Sequence, residues 1–316
     1  MQVRIACAGL AAGALLIAGT LVYSAQLPVF SGVGPDAQAY GAAEHFPLGP
    51  LATAFEKRYM VATFSHFDSL YPVHIVSPAS HSWAFQRPAA VPELTYVHAG
   101  THYSLKDYLA HMPVTGLLIA KDDQILFEGY QYARSDQDRF TSQSIAKTIV
   151  GMLVGVAASE HAITSTADPA SKYVPELKDS AYGNATVLDL LHMSSGVTCP
   201  IEDQTSGTFS LQTLTHECKQ AVPPGTRFRY SAADSQVLGL IVSRAVQMPL
   251  ARYLQQKVWQ NIGVESKATW TIDASGQELA FCCFNATLRD YGRFARLLAF
   301  DGAWNGKQLI PRQWLS

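Results

Sequence analysis

The stretch RFTSQSIAKTIVGMLVGVAA, residues 139–158, constrains the fold more than any other part of the chain. From Ile145 onward nearly every residue is apolar or small, without a polar stripe at helical spacing. A helix apolar on most of its faces has to be buried. Yet Lys147 falls in its first turn, where the positive end of the helix dipole disfavours a cation by a few tenths of a kcal/mol to about 1 kcal/mol. Ser144 precedes it by three residues, so the two side chains share a face one turn apart. Desolvation and the dipole both work against the charged amine. Lowering a lysine from about 10.4 to about 7–8 takes roughly 3.5–4.5 kcal/mol, within reach of burial. A neutral amine beside a hydroxyl is a general base beside a nucleophile. Backbone N–H groups left unpaired at the helix start offer an oxyanion site. Alone, Ser-x-x-Lys is a weak signal, because helix lysines ordinarily reach solvent.

The rest of the chain narrows the function classes. A formal net charge of −2 gives no bulk field for nucleic acid. The ten histidines show no metal-ligand spacing, and neither phosphate-binding glycine motif occurs, so no metal or cofactor is expected. At the amino terminus, Arg4 precedes an uncharged run over residues 5–22 and then small residues. This reads as an export signal with cleavage after Ser24, or as a membrane tether if uncut. Either places the remainder outside the cytoplasm, periplasmic or anchored facing the periplasm. In an oxidising compartment Cys199 and Cys218 are open to bridging. Cys282 and Cys283 are neighbours, whose bridge would be strained, and they read as buried small hydrophobes.

Residues 1–24 thus form a signal or anchor. Residues 25–104 read as an irregular segment wrapping a core, with a short helix near Leu51–Tyr59. Residues 105–316 read as one domain with a helical part over about 163–270. Pro113–Ala120 and Ile125–Tyr132 flank a turn and predict a β-hairpin. Thr186–Asp189 and Thr287–Asp290 are capping boxes opening helices. Ser235–Val246 and Leu250–Val258 have helical apolar spacing. The order predicts an α+β fold with an antiparallel sheet needing more strands than the pattern reveals.

Several segments, in order, resemble the serine β-lactamase and penicillin-binding-protein superfamily, in particular its class C-type branch of esterases and aminohexanoate-oligomer hydrolases. VTGLLIAKDDQILFEGY (114–130) resembles the family's first two strands and SQSIAK (142–147) its nucleophile motif. LLHMSSGV (190–197) and PPGTRFRYSAADSQVLGLIV (223–242) resemble its next two segments, and FNATLRDYGRFARLL (284–298) a following helix. The resemblance implies a β-lactamase-like fold, with an antiparallel sheet flanked by helices. It makes Ser144 the nucleophile, Lys147 its base, and Tyr230 the tyrosine that relays a proton to the leaving group. It implies a small-molecule ester or amide substrate, cleaved through an acyl-enzyme. Arg227 and Arg229 read as a solvated face, His192 as a structural hydrogen-bonding residue, and Asp234 as a cap for the next helix.

Two departures shape the expectation. Ala232 stands where the family usually carries asparagine in the second motif, which shifts weight from β-lactams toward esters and linear amides. No Lys-Thr-Gly or His-x-Gly triad follows Tyr230; His98-Ala99-Gly100 lies upstream, in the wrong order. The chain therefore reads as lacking C-terminal strands that would carry a second oxyanion donor. It is expected to turn over slowly by itself, the alternative being a non-catalytic binding module on the same fold.

Overall fold

The computed structural model describes Tyr23–Ser24 and residues 27–200 and 210–316. The expected signal or tether, residues 5–22, lies outside the described residues. Among the described residues no helix is long and apolar enough to cross a membrane. The strands that position the site are β1 (Val73–Val76), β2 (Gly116–Lys121), β3 (Gln124–Tyr130), β4 (Phe140–Thr141), β5 (Ala268–Thr271) and β6 (Phe284–Ala286). The helices are α1 (Ile145–Ser159), α2 (Val187–Leu191), α3 (Ala232–Val246), α4 (Leu250–Leu254) and α5 (Leu288–Ala299).

The fold is α+β. The apolar run becomes α1, with Ala146, Ile149, Val150, Leu153, Val154, Val156 and Ala157 buried. It packs on α3, which is buried from Ala233 to Val242. Apart from Ile145, Thr148 and Ser159, which stay exposed, its residues are covered or half-covered, at a gain of about 25 cal/mol per Å2 of apolar surface removed from water. The expected hairpin forms as β2 and β3, pairing Gly116 with Tyr130 and Lys121 with Gln124. Both capping threonines sit where expected: Thr186 and Thr287 accept from the N–H of Asp189 and Asp290. At α5 the carboxylate of Asp290 accepts from the Thr287 hydroxyl, from the N–H groups of Glu265 and Ser266 and from Arg293, and not from the Thr287 N–H that would complete the box.

The strands missing from the sequence pattern lie in a four-stranded antiparallel sheet ordered β1–β5–β6–β4. Ile75 pairs with Thr269, Thr269 with Asn285, and Asn285 with Thr141. These strands are two to four residues long, too short to display alternation. The segment expected to be irregular supplies β1, so it belongs to the sheet rather than merely wrapping it. The helix expected near Leu51–Tyr59 is displaced: 3-10 turns occupy Leu51–Thr53 and Lys57–Tyr59, and the α-helix is Met60–Ser65.

Cys199 and Cys218 are bridged, with Cα atoms 4.2 Å apart, joining the short strands Val197–Thr198 and Lys219–Gln220. Cys282 and Cys283 are bridged too, which corrects their reading as free buried thiols. Cys283 takes φ +69°, a left-handed conformation that L side chains rarely adopt, and the adjacent sulfurs meet across that turn.

The segment before β6 lies directly on α3. Gln236 of α3 accepts from the N–H of Ala280 (2.9 Å) and donates to the carbonyl of Glu278 (2.9 Å). The helix approaches this closely because residue 239 is glycine. A Cβ there would overlap the Ala280 Cβ and come within 3.1 Å of Leu250 Cδ1. Gly239→Ala is expected to destabilise the fold by about 1–3 kcal/mol through overpacking, read as a lower urea midpoint with unchanged slope.

Candidate active site

Ser144 is delivered by a turn anchored on the sheet. After β4, the Ser142 N–H donates to the Phe284 carbonyl (2.6 Å), and the Phe284 N–H donates to Ser142 Oγ (3.1 Å). Gln143 then takes φ +44° and redirects the chain into α1. Ser144 occupies the N-cap position with helical dihedrals, and its Oγ accepts no capping bond. The hydroxyl is thereby left for other partners. The first-turn N–H groups are less available than the sequence suggests. Those of Ile145, Ala146 and Lys147 bond tightly to the carbonyls of Ser142, Gln143 and Ser144. Among the described residues, Ser144's own N–H is left without an acceptor.

Lys147 is half-buried rather than fully enclosed. Its Nζ donates to Ser144 Oγ (3.1 Å) and to the Phe281 carbonyl (2.7 Å). The amine also lies 5.0 Å from the Tyr230 ring centre and 5.7 Å from that of Phe281. A carbonyl and two ring faces offset the unfavourable dipole end, which accounts for a cation at a helix start.

Tyr230 arrives on a loop fastened at both sides. Upstream, the N–H groups of Gly225 and Arg229 donate to the carbonyls of Ser194 and Met193 (both 2.8 Å). Downstream, Ser231 caps α3 by accepting from the Asp234 N–H (3.0 Å). Between these ties the Tyr230 hydroxyl donates to Ser144 Oγ at 2.6 Å. The ring is 53% exposed, so the site opens to solvent. Burial of the hydroxyl acts to raise its pKa. The bonds to Ser144 and Lys147 and the lysine's charge outweigh this and hold it below the ordinary tyrosine value. The structure thus brings Ser144, Lys147 and Tyr230 together at one oxygen atom.

Other residues singled out in the sequence take different places. The helix cap is Ser231, not Asp234. Asp234 sits inside the first turn, fully buried, and its carboxylate accepts from the hydroxyls of Ser195 (2.8 Å), Ser231 (3.0 Å) and Tyr182 (3.0 Å). Burial pushes this carboxyl up, against the pull of those donors. His192 is exposed and its ring makes no hydrogen bond among the described residues, so the structural role expected of it is not seen. Arg227 and Arg229 are exposed and line a cavity of about 300 Å3 with Met193, Thr198 and Val222, which does not include the three site residues. Ala232 begins α3 and offers the site no hydrogen-bonding group. His98-Ala99-Gly100 is a hairpin turn, with φ +48° and +79° at Ala99 and Gly100. Sequence reasoning missed the Phe281 carbonyl and the Asp234 hydroxyl cluster. Ser231-Ala-Ala-Asp234 has capping-box spacing and signalled part of the latter; a backbone carbonyl leaves no signal.

An ultraviolet difference titration is expected to show one tyrosine ionising below the ordinary value near 10. That component should vanish in Tyr230→Phe and move up in Lys147→Ala, because removing the cation removes a cause of the lowering.

The chain can now be set beside known proteins. The family model described as Beta-lactamase matches residues 104–314. The 6-aminohexanoate-dimer hydrolase of Paenarthrobacter ureafaciens is 25% identical over 230 residues, covering 67% of this chain and 58% of that protein. A beta-lactamase of Pseudomonas fluorescens is 21% identical over 172 residues, covering 51% and 48%. The chain therefore spans about half the length of these relatives. Among solved structures, "Putative 6-aminohexanoate-dimer hydrolase from Bacillus anthracis" superposes with a TM-score of 0.74 at 24% identity, covering 81% of this chain and 72% of that one. That likeness carries the fold. The family match and the fold together establish that the chain belongs to the beta-lactamase family, within the superfamily of β-lactamase and penicillin-binding-protein-like hydrolases.

Proposed function

We propose that the chain is an exported serine hydrolase that cleaves ester or linear amide bonds through an acyl-enzyme. The observation that carries this reading is the convergence of Lys147 Nζ and Tyr230 OH on Ser144 Oγ, at 3.1 and 2.6 Å. Both distances lie within reach of proton transfer. Ser144 Oγ attacks the substrate carbonyl, and its proton passes to the Lys147–Tyr230 pair in the state that holds one titratable proton between them, with either the amine neutral or the phenol ionised, so that one of the two is free to accept it. The Ser144 N–H faces the developing oxyanion as one donor. Tyr230 returns the proton to the leaving alcohol or amine. Water then attacks the acyl-enzyme, which the open site admits, and the acid departs.

Ala232 supports a preference for esters and linear amides, since no side-chain amide is present there to orient a β-lactam. The similarity to a 6-aminohexanoate-dimer hydrolase supports the same substrate class. The charged-then-apolar start of the chain supports export to the periplasm, by a cleaved signal or a retained tether.

A fluorophosphonate is expected to label the folded protein at Ser144, located by peptide mass mapping. Lys147→Ala should slow labelling by about 10²–10⁴-fold, the range for losing a general base. Ser144→Ala should abolish it. Folded protein that takes no label would reject the enzyme reading in favour of a binding module.

A further inference from the structure

The Phe281 carbonyl accepts from Lys147 Nζ at 2.7 Å, and the chain around it shows what turns it that way. Four carbonyls around it, those of Leu279, Cys282, Cys283 and Phe284, are claimed by the core. The Leu279 carbonyl accepts from Trp270 Nε1 (3.0 Å) and the Cys282 N–H (3.1 Å). The Cys282 carbonyl accepts from Trp270 Nε1 (3.2 Å). The Cys283 carbonyl accepts from the Thr271 N–H and Asn285 Nδ2 (both 3.1 Å). The Phe284 carbonyl goes to Ser142 and Tyr291. Within this tract the Phe281 carbonyl is the one directed at the site. The Cα of Cys282 belongs both to the peptide carrying that carbonyl and to the ring closed by the Cys282–Cys283 disulfide. Cys283 is held at φ +69°, in the left-handed region that an L residue seldom enters unless its surroundings impose it. Both cysteines are buried, at 1% and 2% exposure.

We propose that the Cys282–Cys283 disulfide is a positioning element for catalysis: it locks the left-handed turn that aims the Phe281 carbonyl at Lys147 Nζ and so fixes the amine against Ser144. This rests on the serine-hydrolase reading above. The disulfide touches neither substrate nor reacting atoms and acts through Lys147. Freed of the ring, residue 283 relaxes toward negative φ and the carbonyl swings away. The amine then loses that carbonyl as an acceptor, and misplacement by about 1 Å can cost on the order of 10²-fold in rate.

The test separates geometry from general loss of a bridge. Saturation kinetics of fluorophosphonate labelling give a maximal rate, kinact, and a half-saturation constant, KI. In Cys282→Ser/Cys283→Ser, kinact is expected to fall at least about tenfold, with KI within about twofold. Cys282→Ser/Cys283→Gly has no bridge either, but glycine takes positive φ freely. It is expected to recover most of kinact, which a bridge acting only on stability would not produce. Equal kinact in wild type and the serine pair overturns the proposal. So does equal loss in the serine and glycine variants, or a change confined to KI. Should the serine pair not fold, mass mapping of unreduced wild type still decides. A peptide lighter by the two thiol hydrogens at Cys282 and Cys283 is expected, and a free thiol at either residue overturns the proposal. Wild type that takes no label at Ser144 sinks the hydrolase reading instead and leaves the peptide map untouched.

Discussion

A helix without a polar face has one place to go, and the burial of α1 is the constraint from which the site follows. Once α1 lies against α3 in the core, its amino-terminal end has to surface where the sheet stops. The turn at Gln143, tied to β6 through Ser142, sets the angle at which it surfaces. Ser144 is thereby exposed while Ala146, two residues on, is completely buried. The boundary between solvent and core passes between the hydroxyl and the body of the helix. That lets a polar side chain reach outward from an apolar scaffold.

The remaining parts are brought to that boundary by backbone hydrogen bonding more than by side-chain charge. The loop carrying Tyr230 is sewn to Met193 and Ser194 and closed by the Ser231 cap. The Ser231 hydroxyl also donates to Asp234, whose buried carboxylate gathers hydroxyls from Ser195 and Tyr182 as well. One carboxylate therefore joins the segment after α2 to the start of α3. A buried acceptor with several donors is costly to leave half-satisfied, so such a cluster holds its members in one arrangement. Lys147 follows the same logic, with a carbonyl and a hydroxyl as hydrogen-bond acceptors and ring faces beside it.

What could be read from the sequence was whatever is written locally. The apolar run of α1, the hairpin, the two threonine caps and the Ser-x-x-Lys spacing all depend on residues a few positions apart, and each forms where expected. Tyr230 could be singled out because the stretch 223–242 around it resembles the family's second motif, with a turn before it and a helix after. The four-stranded sheet could not. Its strands are too short for alternation, and β1 pairs with a partner almost two hundred positions away, as in Ile75 with Thr269. The bridge at Cys282–Cys283 is not legible in the sequence, because a bond between neighbouring cysteines looks strained and nothing local announces the positive φ at Cys283. The Phe281 carbonyl was invisible for a simpler reason: every residue has one, and only the fold says where it points.

The distances along the chain between the parts of the site have a bearing on when it comes into being. Ser142 waits for Phe284, 142 positions later; Lys147 waits for Phe281, 134 later; Ser144 waits for Tyr230, 86 later. A growing polypeptide that has completed α1 already contains the serine and the lysine, yet nothing that fixes either of them. Local pairs close early and distant ones late, since loop closure must precede the contacts that reward it. The Ser144 hydroxyl gains these neighbours only once Phe284 has been added, and a nascent chain that stops short of Tyr230 holds the serine and the lysine without them.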